Sequence, residues 1–322
     1  MKPWLEGQIG SANIPGVLCC GNLVRDILVG PVAEPLWGRT IWVDFIAESF
    51  GGNGANTSYA LAKLDTPVRL WGMLGDDEAG DRVLKELQNA GVDTNHVGRS
   101  DSPTPATVVL VDPNGARALL HRPGASREAF KDPPQLTDDL VRDCTWFHLA
   151  NLFALPALRP HAAGLVEQAR RRGLSVSIDT GWDARGEWLN VLGPCLPYAD
   201  LLFVNEDEAR ELTGVSHPLQ SAQALLDHGA RYVVVKLGAA GCVLSHGDES
   251  LACPAFQVNV VDTTGAGDCF AGGFLAGLQR GLSHSDAANL GNAAGALCVQ
   301  KLGATTGLRN LDETLAWIKA QQ

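Results

Sequence analysis

A short run of small residues ends in a single carboxylate at residues 261–273, which read VDTTGAGDCFAGG. Gly265, Ala266 and Gly267 precede Asp268, and the segment after them is apolar almost all round, which is typical of a buried helix. Glycines just before a helix leave its first backbone N–H groups accessible to a ligand, because no Cβ blocks the approach, and the helix N-terminus adds partial positive charge. The segment predicts an anion pocket with Asp268 beside it as a proton acceptor. The alternative is a tight turn in which Asp268 only caps the helix.

A second glycine cluster, SFGGNGANTSYALA at residues 49–62, also joins a strand to a helix. Gly52 permits close approach of a ligand to the backbone, and Asn53 and Asn56 carry amides that both donate and accept hydrogen bonds. This pattern suits a polyol such as a sugar. It is equally typical of a glycine-rich turn with an asparagine cap.

Two common phosphate-binding motifs are absent from the sequence. It contains no G-x-x-x-x-G-K-[ST], and no strand is followed by G-x-G-x-x-G. The formal net charge of −11 argues against a broad basic surface, so nucleic acid is not expected as a partner. A phosphate-bearing ligand would then be held by local devices such as helix N-termini and single lysines.

Composition and cysteine usage indicate an ordinary globular protein. Of 322 residues, 45% are hydrophobic and 19% charged. The eight cysteines form no C-x-x-C pair, and several lie inside apolar runs, which favours buried free thiols over disulfides or zinc. The N-terminus lacks a signal-peptide pattern, and no apolar run reaches the roughly 18 residues of a membrane span. We expect a cytoplasmic protein with no membrane partner.

Strand-like runs alternate with helical patterns along the chain, most regularly after residue 144. Continuous apolar strands separated by helices predict an α/β fold with a mainly parallel sheet covered on both faces. Extra strands at about residues 30–50 and 103–123 do not fit this alternation, and we interpret them as a small β lid. The second of these is a hairpin with Pro-Asn-Gly at its turn. Without a repeat or a long linker, residues 1–322 are expected to form one domain.

The two glycine segments, in this order and spacing, resemble the signatures of the ribokinase (PfkB) family of carbohydrate kinases. GGNGAN at 51–56 resembles the first signature, and DTTGAGDCFAGGF at 262–274 resembles the second. GDDEAG at 75–80, NEDEA at 205–209 and KLGAAG at 236–241 resemble further family segments, so the resemblance spans nearly the whole chain. It implies a ribokinase-like sheet flanked by helices, a β lid over a sugar, and phosphoryl transfer that uses ATP, Mg²⁺ and K⁺.

The resemblance also assigns roles to the matching positions of this sequence. Asp268 would be the catalytic base, and the anion hole for the transferred phosphate would be Gly265, Ala266 and Gly267. The acceptor would contact Asp26, Gly52, Asn53 and Asn56. The nucleotide would contact Asn205, Lys236, Gly238, Gly241 and Asn292. Glu208 would hold Mg²⁺ through water, and potassium would be held, mainly by backbone carbonyls, at Asp262, Thr264, Cys298, Lys301, Gly303 and Gly307.

Several positions depart from ribokinase proper and leave the acceptor open. Val24 stands where an asparagine contacts ribose, and Asn53 replaces a lysine. The segment HLANLF lacks a sugar-binding glutamate, for which Asn151 is the expected substitute. On the lid, His121 and Arg122 would either meet a carboxylate or phosphate of the acceptor or form an ordinary solvated strand end.

Three functions are compatible with these residues. The first is a kinase that phosphorylates a hydroxymethyl group of a sugar or sugar-like molecule, the second a nucleoside kinase of the same family, and the third a catalytically silent sugar-binding regulator. Asp268, Asn205 and Glu208 argue against the regulator, because a binder needs neither a base nor metal ligands. The lid strands carry alternating apolar residues, and a single sheet packed on one side only leaves the apolar residues of its other face exposed. This predicts a homodimer in which two lids pack together.

Overall fold

The computed structural model of the protein describes residues 14–113 and 117–321. The predictions made for the N-terminal segment and for the centre of the Pro-Asn-Gly turn lie outside these residues. The described strands are β1 (Gly16–Gly21), β2 (Val24–Gly30), β3 (Phe45–Gly51), β4 (Val68–Gly75), β5 (Asp93–Ser100), β6 (Ala106–Val111), β7 (Arg117–Arg122), β8 (Cys144–Ala150), β9 (Ser175–Asp179), β10 (Leu201–Asn205), β11 (Tyr232–Lys236), β12 (Cys242–His246) and β13 (Glu249–Cys253).

Helices connect most of these strands. They are α1 (Asn53–Lys63), α2 (Glu78–Asn89), α3 (Asp138–Val141), α4 (Ala162–Arg171), α5 (Leu189–Leu192), α6 (Glu206–Thr213), α7 (Pro218–Asp227), α8 (Ala266–Gln279), α9 (His284–Cys298) and α10 (Leu311–Ala320). Within the described residues, none of them is long and apolar enough to cross a lipid bilayer.

The main sheet has nine strands in the order β13-β12-β11-β10-β9-β8-β1-β4-β5. Only the pairs β11–β12 and β12–β13 are antiparallel, which confirms the predicted α/β fold with a mainly parallel sheet. The two edge strands, β5 and β13, were not predicted from the sequence. Edge strands are buried on fewer sides, so the sequences DTNHVGRS and ESLAC carry too few apolar residues to show a strand pattern.

Side chains that alternate along the central strands build a hydrophobic core on each face of this sheet. Val17 and Cys19 of β1 belong to one cluster, whereas Leu18 and Cys20 belong to the other. The first cluster contains α8, in which every residue from 268 to 277 is buried, as the sequence predicted. All eight cysteines are free, and all but Cys144 are buried, which confirms the expectation of buried thiols.

A second sheet of four strands, in the order β3-β2-β6-β7, forms the lid. It begins at Val24, earlier than the expected range of about 30–50, because the chain leaves β1 and turns into the lid at Asn22 and Leu23. The charges of Arg25 and Asp26 interrupt the apolar pattern of β2, so the sequence did not show this strand. Within the expected range of about 30–50, the second lid strand, β3, starts only at Phe45.

Candidate active site

Two cavities lie at the carboxyl ends of the parallel strands, on either side of the loop that leads into α8. The larger, about 770 Å³, is lined by Thr264, Gly265 and Asp268 together with lid residues and the ends of β1 and β8. The smaller, about 290 Å³, is lined by Thr263, Ala266 and Gly267 together with the end of β11 and part of α9. Residues 263–268 therefore form the wall between the two cavities.

Glycine is required at position 265, the N-cap residue of α8. Its backbone is left-handed, with φ of 71°, and a Cβ there would lie 2.4 Å from the carbonyl oxygen of Ala304. The N–H groups of Gly267 and Asp268 make no hydrogen bond to another described residue. Open donors at a helix N-terminus form an anion-binding site, so the geometry matches the predicted anion hole.

The Asp268 side chain contacts the second glycine segment and does not cap its own helix. Its Oδ1 accepts a hydrogen bond from Asn53 Nδ2 at 2.7 Å, and its Oδ2 accepts one from Asn56 Nδ2 at 2.8 Å. The capping alternative for Asp268 is therefore wrong, and so is the asparagine-cap alternative for Asn53, because α1 has no side-chain cap. The two glycine segments meet at one carboxylate.

The environment of Asp268 favours a base that titrates near neutral pH. Burial raises the pKa of Asp268 to about 6, and the negative charge of Asp179 adds to the effect. Hydrogen bonds from Asn56 and Asn53 and the charge of Lys236 oppose this rise in pKa. A carboxylate with such a pKa is ionised at pH 7 and still basic enough to take a proton.

A chain of amides extends from Asp268 across the floor of the larger cavity. Asn151 Nδ2 donates to Asn53 Oδ1 at 2.8 Å, so the expected substitute for the sugar-binding glutamate lies one residue away from the carboxylate. Asn56 Oδ1 is buried and has no partner within the described residues. Asn22, which the sequence analysis missed, accepts from the Asn53 backbone N–H at 3.0 Å.

Asp26 lines the same cavity from the lid strand β2 and is buried. Burial raises the pKa of Asp26 to about 6, the hydroxyl of Thr107 opposes this, and the charges of Asp268 and Asp262 support it. A Cβ on Gly51 would lie 1.9 Å from Asp26 Oδ2, so glycine at this neighbouring position makes room for the carboxylate. Gly52 and Val24 also line the cavity.

The pleat of the lid decides which side chains of β7 face the cavity. Arg117, Leu119 and His121 line it, because side chains alternate between the two faces of a strand. Arg122 therefore lies on the opposite face, where its guanidinium donates to the carbonyl oxygen of Thr104 at 3.0 Å. The predicted substrate contact by Arg122 is wrong by one position along the strand.

Two further arginines line the larger cavity and were not found from the sequence. Arg127 follows the lid strand, and Arg185 follows β9. Both side chains are exposed, and neither makes an ion pair within the described residues. Arg159 also lines the cavity, but its charge is neutralised by Asp183 and Glu187. No motif marks these residues, because they lie in irregular segments.

The smaller cavity combines a lysine with an apolar wall. Lys236, Gly238, Gly241 and Asn292 all line it, as predicted for a nucleotide site. The remaining lining is mostly apolar and includes Phe256, Val258, Val260, Phe270 and Val299. The Asn292 amide donates to the carbonyl oxygens of Cys253 and Pro254, so it fixes the wall of the cavity.

Lys236 lies beside the anion hole, with Nζ 3.1 Å from the point where a Cβ on Gly267 would lie. It donates to Asp179 Oδ2 at 2.7 Å. Burial alone would lower the pKa of Lys236, but the carboxylates of Asp179 and Glu208 outweigh it and raise the pKa. The ammonium is therefore charged where a transferred phosphate would pass. Asp179, at the end of β9, is a site residue that the sequence analysis missed.

Asn205 lies outside the lining of the nucleotide cavity, contrary to its predicted contact. It forms a capping box with Glu208 at the start of α6, in which Asn205 Oδ1 accepts from the Glu208 N–H and Glu208 Oε2 accepts from the Asn205 N–H. Burial raises the pKa of Glu208, with Asp179 adding to the effect and Lys236 opposing it.

These residues fit a magnesium ion held mainly by nucleotide phosphates. The described residues contain no group of three or more histidine, cysteine or acidic side chains able to hold a metal. Mg²⁺ commonly takes one or two carboxylates and fills its other positions with phosphate oxygens and water. Asp179 and Glu208, whose charges both act on Lys236, are the carboxylates that would take this role.

The groups predicted to hold potassium make other contacts. Asp262 Oδ1 accepts from the N–H and hydroxyl of Thr264, and Oδ2 accepts from the Gly303 N–H. The Cys298 thiol donates to the Thr264 carbonyl at 3.3 Å, while Lys301 is exposed. A Cβ on Gly307 would lie 2.0 Å from the Leu297 carbonyl oxygen. Because both Asp262 oxygens already accept hydrogen bonds, and Oδ1 also accepts from Arg117, the Asp262 side chain does not fit the role of a potassium ligand.

A carboxylate and a helix N-terminus with open N–H groups lie between two cavities at the edge of an α/β sheet. Residues 28–311 match the profile of the pfkB family carbohydrate kinases. The chain belongs to this family and is an ATP-dependent carbohydrate kinase.

Individual relatives agree with this assignment. The chain is 32% identical to an ATP-dependent ribose-1-phosphate kinase of Halopiger xanaduensis over 88% of this chain and 94% of that protein. It is 29% identical to a ribokinase of Lactococcus lactis over 93% and 95%, respectively. The structure of Arabidopsis thaliana ribokinase complexed with ribose and ATP superposes with a TM-score of 0.84 at 27% identity, covering 95% of this chain and 99% of that one.

Proposed function

We propose that the protein transfers the γ-phosphoryl group of ATP to a hydroxymethyl group of a sugar or sugar-like acceptor. Asp268 acts as the base, and Gly265, Ala266 and Gly267 form the anion hole. The observation that carries this proposal is that residues 263–268 line both cavities. The acceptor in the larger cavity and the nucleotide in the smaller one would meet at the N-terminus of α8.

The reaction follows from these positions. The acceptor hydroxyl loses its proton to an Asp268 oxygen as its own oxygen bonds to the γ-phosphorus, and the bond from that phosphorus to the bridging oxygen of ADP breaks. The N–H groups of Gly267 and Asp268 and the ammonium of Lys236 stabilise the negative charge on the transferred group. A bound Mg²⁺ would neutralise further phosphate charge. Burial of Asp268 excludes water, which would compete with the acceptor.

We further propose that the acceptor carries an anionic group, a carboxylate or a phosphate. Arg127 and Arg185 line the acceptor cavity without an acidic partner within the described residues. In a chain of net charge −11, two unpaired arginines in one cavity favour an anionic ligand. The relative from Halopiger xanaduensis, whose name specifies ribose-1-phosphate, supports this class of acceptor.

A nucleoside is the second candidate acceptor. Trp182 lines the larger cavity and is 56% exposed, so its ring offers a surface on which a base could stack. The choice between the two classes depends on whether the arginines or the tryptophan contact the distal part of the acceptor.

A panel of acceptors tests both proposals. ADP release is measured with neutral sugars, sugar acids, sugar phosphates and nucleosides, and the phosphorylated product is identified by mass spectrometry. We expect the highest kcat/KM with an anionic sugar, and a marked loss of it in Arg127→Ala and Arg185→Ala. Turnover of nucleosides alone would support the second candidate. Binding of a sugar without any ADP release would support a silent regulator and contradict the kinase proposal.

A further inference from the structure

Arg117 joins the lid to the loop that forms the anion hole. It is the first residue of β7, and its guanidinium donates from Nη1 to Asp262 Oδ1 and from Nη2 to Thr263 Oγ1. The Asp262 side chain is 2% exposed and that of Arg117 is 21% exposed. A largely buried guanidinium thus holds two consecutive residues just before Gly265, from a strand far away in the sequence.

Oδ1 of Asp262 has no acceptor capacity left for a metal ion. Oδ1 accepts from the Thr264 N–H at 2.8 Å, from the Thr264 hydroxyl at 2.7 Å and from Arg117, and Oδ2 accepts from the Gly303 N–H at 2.8 Å. Each carboxylate oxygen offers about two lone-pair sites, so the three donors on Oδ1 already fill it. A monovalent cation that used Oδ1 would have to displace Arg117, and one that used Oδ2 would be repelled by the positive charge of the neighbouring guanidinium.

We propose that Arg117 is a positioning residue that replaces a monovalent cation. Its guanidinium orders residues 262–264 and thereby holds the N–H groups of the anion hole, so that phosphoryl transfer does not need potassium. This inference rests on the proposed function of the loop. It also links the lid to the nucleotide side of the site, because Arg117 lines the acceptor cavity and Thr263 lines the nucleotide cavity.

The first test uses the wild-type protein in chloride salts of potassium, sodium and tetramethylammonium at equal ionic strength. We expect the same kcat and the same nucleotide Kd in all three salts, and a melting temperature that does not depend on the cation. A rise in kcat of about fivefold or more in potassium, the lower end of ordinary coupling between sites, would overturn the proposal. So would a melting temperature that rises in potassium alone.

The second test removes the guanidinium. In tetramethylammonium, Arg117→Ala is expected to lose about 10²-fold in kcat, the size of effect expected when a site is displaced by about 1 Å. Potassium should restore part of this loss, because the vacated space lies beside a buried carboxylate. Arg117→Lys should keep part of the activity, since an ammonium cannot bridge both acceptors as a planar guanidinium does.

Arg122→Ala is the matched control, because Arg122 lies on the same strand but faces away from the cavity. It should leave kcat and the salt response unchanged. If Arg117→Ala keeps wild-type kcat in tetramethylammonium, or loses kcat without any recovery in potassium, the proposal is wrong. If the wild type turns over no acceptor in any salt, the proposed function fails instead, while nucleotide Kd and melting temperature still report on the cation.

Discussion

At the scale of single residues, Asp268 lies where the acceptor and the nucleotide would meet. Asn53 and Asn56 hold its two oxygens, so its orientation is set by neutral donors and not by an ion pair. Each carboxylate oxygen keeps a further lone pair for a ligand hydroxyl. The raised pKa of Asp268, caused first by burial, makes its charge depend on pH in the range where enzymes work.

Replacement of Asp268 by asparagine separates catalysis from folding. Asp268→Asn keeps the shape of the side chain but removes the proton acceptor, so kcat should fall by at least about 10²-fold. Nucleotide Kd should change little, because the backbone N–H groups and Lys236 remain. The melting temperature should not fall, since the raised pKa shows that the folded state disfavours the carboxylate at neutral pH. Retention of more than about a tenth of kcat would contradict a general base of ordinary strength.

The pH dependence of the rate provides a second prediction at this scale. Proton transfer needs Asp268 ionised, so kcat/KM should fall as pH drops through about 6, the pKa of the buried carboxyl, and should level off above it. Asp26 also titrates near 6, and Asp26→Asn is therefore the control. The acid limb should persist in Asp26→Asn. A flat profile from about pH 5 to about pH 8 would show that no such base is used.

At the scale of elements, the loop and helix α8 work as one unit. Gly265, with its left-handed backbone, is the N-cap residue of α8. The two N–H groups without partners, those of Gly267 and Asp268, therefore lie in the first turn of the helix. From Asp268 to Gly277 every residue of α8 is buried, which anchors the helix behind this end. On the lid, the alternation of β7 decides that Arg117 and His121 face the acceptor and that Arg122 does not.

Gly265→Ala tests this element. Alanine at a left-handed position costs roughly 1–2 kcal/mol, and here its Cβ would also lie 2.4 Å from the Ala304 carbonyl oxygen. We expect a lower melting temperature and a loss of both kcat and nucleotide affinity. Gly214→Ala is the control, because Gly214 has nearly the same φ of 73° with open space around it. If both variants lose the same amount of stability and activity, the close approach to Ala304 is irrelevant.

At the scale of the whole molecule, the lid leaves a large apolar surface exposed. In the loop between β2 and β3, Trp37 is 98% exposed and Trp42 is 92% exposed, and Ile46 and Leu120, on the face of the lid that points away from the cavity, are exposed as well. Contiguous apolar surface of this kind marks an interaction site. We propose that two lids pack together in a homodimer, as the strand pattern predicted.

Light scattering at micromolar concentration tests the dimer. We expect the mass of two chains for the wild type and the mass of one chain for Ile46→Asp, because an aspartate cannot be buried without a partner. Leu219→Glu, on the exposed surface of α7 outside the lid, is the control and should remain a dimer. A monomeric wild type would contradict the proposal, and a dimeric Ile46→Asp would place the interface elsewhere.

Local patterns in the sequence were enough for the fold class and for the residues around Asp268. Central strands buried on both faces are apolar throughout, and an anion-binding helix N-terminus has small residues, so both can be recognised as local patterns in the sequence. Edge strands such as β5 contain fewer apolar residues and are harder to recognise. Gly52, Asn53 and Asn56 were predicted from such a segment and Lys236 from the family resemblance, and the structure brings all of them to the two cavities.

Only the tertiary structure decided which charges meet. The phase of the lid pleat placed Arg122 away from the site and Arg117 against Asp262. Asp179 pairs with Lys236 because neighbouring strands end at the same edge of the sheet, although the two residues lie far apart in the sequence. No local pattern encodes such pairs, since an ion pair depends on the packing of elements that are distant along the chain.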